Sequence, residues 1–120
     1  MTKFLITSAL PYINGAKHLG NLVGSLLPED VHARFRRQIG DEVLFICGTN
    51  EHGTLGALAT RQNVRKFCDE QHAFQADIYR RFRLSFDYFG RTSSHQNCDL
   101  TQHFYRRLDE AGLIEERSVS

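Results

Sequence analysis

TSALPYINGAKHLGN, residues 7–21, is the stretch whose reading decides the fold. An apolar run, Phe4-Leu5-Ile6, leads into it, and its β-favouring side chains make Lys3–Ser8 a buried strand. Pro11 removes a backbone donor and stops a central strand from continuing. Asn14-Gly15 signals a turn, so Ala9–Lys17 is read as a loop. From His18 a helical period begins, with Leu19, Val23, Leu26, Leu27, Val31 and Phe35 at spacings of three and four. Pro28 is expected to kink that helix or free a carbonyl, and Gly40 to end it. A strand, a glycine-bearing loop and a helix start, in that order, offer backbone N–H groups and a positive helix end to a phosphate.

Glu42–Gly48 is the second strand, with Val43-Leu44-Phe45-Ile46-Cys47 wholly apolar. Two such runs around one helix make a βαβ unit with a parallel sheet, so the class is α/β. Thr49–Gly53 is then a loop at the carboxyl end of a strand, where open α/β sheets hold ligands. Thr54–Thr60 reads as a short helix. Val64–Leu84 reads as a longer one, with Phe67, Cys68, Ala76, Tyr79 and Phe82 on its buried face. Phe86–Gly90 is a third strand. Asp99 is a candidate cap for a last helix, Leu100–Ala111, stopped by Gly112, and Leu113–Ser120 reads as the start of another strand. No linker breaks the pattern, so residues 1–120 are expected to form one unfinished domain.

Composition excludes several classes. Hydrophobic residues make up 41% and charged residues 24%, with a net charge of +1, which is a globular balance without a basic tract. Arg34-Arg36-Arg37, Arg80-Arg81-Arg83 and Arg106-Arg107 read as solvated helix faces rather than a nucleic-acid footprint. Cys47, Cys68 and Cys98 are odd in number and form no C-x-x-C, which argues against a disulfide framework or a four-thiolate zinc site. The six histidines are scattered, and no metal is implied. No apolar stretch approaches a membrane span, and the N-terminus enters a strand without a secretory segment. A cytoplasmic protein is expected.

The first loop carries the chemistry. Gly20 has no Cβ, so a flat base or ribose can lie against its backbone. His18 can donate a hydrogen bond to a phosphate oxygen as charge builds there. Asn21 donates and accepts, and Pro11 and Tyr12 form a firm wall. The plainer alternatives, an exposed capping histidine and a glycine kept for packing, stay open on these residues alone.

TSALPYINGAKHLGN together with LFICGTNEHGT (residues 44–54) closely resembles the start of the catalytic domain of methionyl-tRNA synthetases, which are class I aminoacyl-tRNA synthetases. His18-Leu19-Gly20-Asn21 is similar to the HLGN form of the class I HIGH signature. RRFRLSFDYFGRT (residues 80–92) and Thr101–Arg117 also resemble the family, so the likeness covers essentially the whole chain. It implies the N-terminal half of a Rossmann-like parallel sheet with flanking helices. It implies ATP with magnesium, methionine and tRNA(Met) as substrates, and methionyl-adenylate as the intermediate. His18 and Asn21 are the expected catalytic residues and contact ATP, with Gly20 giving the adenine room. By the same resemblance Ala9, Leu10, Tyr12 and Asn50 are expected to line the methionine pocket, where an apolar wall suits a thioether.

The chain also departs from the family pattern. The second motif usually reads CGTDEHGT, and here Asn50 stands where an aspartate is expected to hold the substrate ammonium. A neutral acceptor in place of a carboxylate should cost on the order of 1–3 kcal/mol of methionine binding. Glu51 reads as a solvated helix-start carboxylate, and His52 as a packing residue or a site residue. Leu55–Asn63 matches the family poorly. The connective domain, the KMSKS loop and the anticodon-binding domain that follow in the family do not occur in these 120 residues. The chain is therefore expected to be inactive alone, without the tRNA-reading surface, and open to self-association through an exposed sheet. The alternatives are a non-catalytic nucleotide-binding paralogue and a degenerate fragment. A small nucleotidyltransferase would leave the second motif unexplained.

Overall fold

The computed structural model describes residues 2–15, 17–53 and 64–118. Each apolar run pairs as a strand: β1 (Lys3–Thr7), β2 (Glu42–Thr49) and β3 (Tyr88–Arg91) form one parallel sheet in the order β1-β2-β3. Phe4 lies opposite Val43, Ile6 opposite Phe45 and Cys47 opposite Phe89. Helical crossovers make the parallel pairing possible. Between β1 and β2 run α1 (Leu19–Asn21), a π-helical turn (Leu22–Leu26) and α2 (Leu27–Gln38). Helix α3 (Val64–Arg81) precedes β3, and α4 (His95–Glu110) follows it. The helix expected at Thr54–Thr60 and the divergent stretch Leu55–Asn63 lie outside the described residues.

Local chemistry explains where the boundaries fall. Pro28 has no N–H, so the helix changes its bonding before it: the Leu27 amide reaches back to the Leu22 carbonyl, and Pro28 sits in the first turn of α2, where a missing donor is tolerated. Gly40, at φ +90°, follows the end of α2 in the left-handed conformation that terminates helices. Helix α3 stops short of the expected Leu84 because Arg83 turns left-handed at φ 57° and the Leu84 amide bonds to the Tyr79 carbonyl. Ser94, not Asp99, caps α4, its Oγ accepting from the Asn97 amide at 3.2 Å. Residues 113–118 form no strand.

One face of the sheet is covered. Ile6, Ala33 and Phe45 form one buried cluster, and Leu22, Leu26, Cys47 and Tyr79 form a second. Phe86 packs against both, its ring 4.5 Å from Phe45 and 6.3 Å from Tyr79. Ala33 and Phe45 are both 0% exposed, so the small side chain lets α2 close on the sheet. The buried stripe of this first helical arm is thus Leu22, Leu26, Asp30 and Ala33, whereas Leu19, Val23, Val31 and Phe35 are exposed. Phe82 is exposed too, against expectation, and Gln75 occupies the buried face of α3. The other sheet face is open among the described residues, with Leu5 65% and Tyr88 64% exposed.

Polar ties fix α2 to the segment entering β3. Buried Asp30 accepts from the Ser85 amide and hydroxyl, both at 2.6 Å, and from Arg34 Nε at 2.6 Å. Arg37 bonds to Ser85 and Asp87, and Asp87 also accepts from the Phe45 amide at 2.7 Å. Arg36 lies over the Phe4 ring and pairs with Asp41. The arginine cluster of α2 is therefore a set of structural ties rather than a solvated face. Replacing Asp30 with alanine strips the Ser85 amide and Arg34 of their buried acceptor, and urea unfolding should show a loss of about 2–4 kcal/mol.

Candidate functional site

The loop after β1 is shaped from several sides. The Asn50 amide donates to the Pro11 carbonyl at 2.8 Å, and the Ile13 amide donates back to the Asn50 carbonyl at 3.1 Å. Ile13 is buried beneath the loop. From α3, Gln75 Nε2 donates to the Tyr12 carbonyl at 3.0 Å and to the Gly15 carbonyl at 3.3 Å. Lys17 Nζ also donates to the Tyr12 carbonyl and reaches Asn14 Oδ1 at 2.8 Å.

These ties leave a cleft of about 400 Å³ between the end of β1 and the start of the helix. Ala9, Leu10, Tyr12, His18 and Asn21 line it together with Lys17. Five of the seven residues picked out in the sequence thus meet around one space. Gly20 and Asn50 do not line it. A Cβ on Gly20 would stand 2.9 Å from His18 Cε1, so the missing side chain makes room for the imidazole. Asn50 acts through its backbone, by holding the loop. Sequence reasoning missed Lys17 and Gln75. The available signal for Gln75 was a polar side chain in helical phase with Cys68 and Tyr79, the buried residues of α3.

The cleft offers two kinds of surface. Leu10 and Tyr12 are large apolar groups exposed in it, while His18, Asn21 and Lys17 supply donors. Burial lowers the Lys17 ammonium's pKa, and no carboxylate pairs with it among the described residues. The space can therefore accept a ligand with an anionic part and an apolar part.

A second cleft, of about 680 Å³, lies beyond β2. It is built around Glu51, whose side chain is 1% exposed. Arg91 grips that carboxylate at 3.0 and 3.1 Å, Thr49 Oγ1 donates to it at 2.8 Å, and Ser93 donates as well. Arg91 also pairs with Asp69 at 2.7 Å. His72 lies 2.9 Å from Thr49 Oγ1 and stacks on Phe89. Burial alone would push the Glu51 carboxyl up, but hydrogen bonds from Ser93, Arg91 and Thr49 outweigh it and hold it below its ordinary value. Burial and the Arg91 charge lower His72. Glu51 is thus a buried structural anion, not a solvated one. His52 Nε2 lies 3.1 Å from the Thr92 carbonyl. No group of three or more His, Cys, Asp or Glu side chains could hold a metal among the described residues, and no helix among them is long and apolar enough to cross a membrane.

Comparison with known proteins gives a consistent result. A family model described as tRNA synthetases class I (M) matches residues 4–120. Methionine–tRNA ligase 1 of Acaryochloris marina is 59% identical over 121 residues, covering 98% of this chain and 22% of that protein. Methionine–tRNA ligase of Streptomyces avermitilis is 57% identical over 122 residues, covering 99% of this chain and 21% of that protein. The chain therefore spans about a fifth of the length of these relatives. Among solved structures, Mycobacterium tuberculosis methionyl-tRNA synthetase in complex with methionyl-adenylate matches with a TM-score of 0.88 at 28% identity, over 93% of this chain and 22% of that one. An Agrobacterium radiobacter LeuRS–tRNA–LeuAMS complex shares the fold at a TM-score of 0.87 and 22% identity, over 95% of this chain and 15% of that one.

The Glu51 network sets a pH dependence. Because its folded pKa lies below the ordinary 4.5, its contribution is complete above that value and is lost as pH falls through the folded pKa. Glu51→Gln should cost about 2–4 kcal/mol at pH 7, since it leaves Arg91 without its buried partner. Urea melts from pH 7 to pH 3 should then fall less steeply below pH 4.5 for the variant than for the parent. Asp30, also lowered, keeps a residual slope in both.

Proposed function

The chain belongs to the class I tRNA synthetases of the M family, and we propose that its first cleft binds ATP and methionine as part of a methionine–tRNA ligase catalytic domain. The observation that carries this reading is the meeting of Ala9, Leu10, Tyr12, His18 and Asn21 around one cleft. In the reaction, a methionine carboxylate oxygen attacks the α-phosphorus of ATP. The bond from that phosphorus to the bridging oxygen breaks, and pyrophosphate leaves with its electron pair. The methionyl group then passes to a ribose hydroxyl of the terminal adenosine of tRNA(Met), releasing AMP. The nucleophile is already ionised at neutral pH, so the protein's task is positioning and charge stabilisation rather than proton removal.

Residue by residue, His18 and Asn21 are the catalytic groups, donating hydrogen bonds to the ATP phosphates. Gly20 keeps the helix start open to the imidazole and the adenine. Leu10 and Tyr12 offer apolar surface to the thioether, with Ala9 leaving space for it. The family pattern assigns position 50 to the substrate ammonium, and here Asn50 holds the loop through its backbone while its side chain stands outside the lining of the cleft. Magnesium enters with the ATP phosphates. The setting is the cytoplasm, where these substrates occur together. A second reading, a nucleotide-binding module that does not activate methionine, is favoured by Asn50, because an amide holds an ammonium less strongly than a carboxylate does.

Isothermal titration separates the two. ATP-Mg should bind the chain, and His18→Ala should weaken it about tenfold, the worth of one hydrogen bond to a charged group. Asn50→Asp should raise methionine affinity by about the same factor. ATP binding without a gain in methionine affinity would favour the nucleotide-binding module. No heat with ATP at millimolar concentration from a folded sample would exclude both readings.

A further inference from the structure

Among the described residues, no carboxylate pairs with Lys17. Its Nζ is held by the Tyr12 carbonyl and by Asn14 Oδ1, both neutral acceptors. An ammonium has three N–H donors, so one remains after these two bonds. Lys17 is half-buried and lines the cleft beside His18 and Asn21. Among the described residues that line the cleft, none of the others carries a carboxylate. A partly desolvated charge is costly unless something of opposite sign meets it, and an anionic ligand in the cleft supplies that partner.

The geometry points to Lys17 as a substrate-binding residue that meets the polyphosphate of a nucleoside triphosphate, with its third donor aimed at the anion while the other two stay on the loop. This rests on the first cleft being a nucleotide site. It adds a charged contact to those of His18 and Asn21 at the helix start. It also couples binding to loop shape, because the same ammonium fixes the Tyr12 carbonyl that Gln75 holds from the other side. A lysine is suited to this double role, since its donors radiate from a point charge on a flexible stem.

The alternative is that Lys17 only ties the loop, and the two roles differ in what they do to adenosine. Calorimetric titration of the chain, of Lys17→Gln and of Lys17→Arg with ATP-Mg and with adenosine separates them. Loss of a charged contact to phosphate should weaken ATP about tenfold or more, with adenosine changed less than about twofold. Lys17→Arg should restore most of the ATP affinity, because it keeps the charge. Equal losses for ATP and adenosine would make Lys17 a loop tether and overturn the inference, as would an unchanged ATP affinity in Lys17→Gln. If the folded parent chain binds neither ligand, the nucleotide-site reading falls and this inference with it. If the parent binds ATP and the variants bind equally well, only the inference falls.

Discussion

Strand β2 is the constraint from which the arrangement follows. It is the middle strand, so its backbone groups are claimed on both edges, by β1 and by β3. The pairing does not end with the strand. Asn50 extends it onto Pro11 and Ile13, and the Thr92 amide donates to the Thr49 carbonyl at 3.0 Å on the other side. Both loops at the carboxyl end of the sheet are thereby pinned to one piece of chain, and the two clefts open on either side of it. Close approach is part of the same constraint. A Cβ on Gly48 would stand 2.9 Å from the Gly90 carbonyl, so the central ladder tolerates no side chain there.

The two clefts handle charge in opposite ways. Around Glu51 the account closes internally: one carboxylate meets Arg91, Thr49 and Ser93, and the second guanidinium contact falls on Asp69. Such a network is rigid because each member fixes the next, and it has little left over for a ligand. Around Lys17 the positive charge meets only neutral oxygens among the described residues. A site that is meant to receive an anion has to remain incomplete in this sense, since a cation already neutralised by a fixed carboxylate would have to give that partner up first.

Much of this was legible in the chain of residues, and the remainder was hidden for definite reasons. Consecutive apolar residues identified β1 and β2, and the distance between them required a helical crossover. Motif identity brought Ala9, Leu10, Tyr12, His18 and Asn21 to one place. The helical period of the first arm was right at Leu26 and Leu27, which reach the core, and misread at Leu19, Val23, Val31 and Phe35, which face outward. The buried stripe contains Asp30, whose partner Ser85 is 55 residues away. Glu51 was misjudged for the same reason, since Arg91 lies 40 residues along the chain. Periodicity carries no information about partners at such separations. The start of α4 was missed because Ser94 and Asp99 are both good capping residues, and Asp99 instead pairs with His95 at 2.9 Å.

Gly20 has a consequence for heredity. Every alternative to glycine brings a Cβ, and any Cβ at this position meets the His18 ring. The ring is exposed, so it can swing aside without disturbing the core. A missense change in this one codon therefore moves the imidazole while the sheet, its ladder and its buried clusters persist. Selection for a folded product would not see the change, and selection for the site would. A lineage released from the second pressure can keep the architecture long after the chemistry has drifted away, and this codon is among the first places where that release would be written.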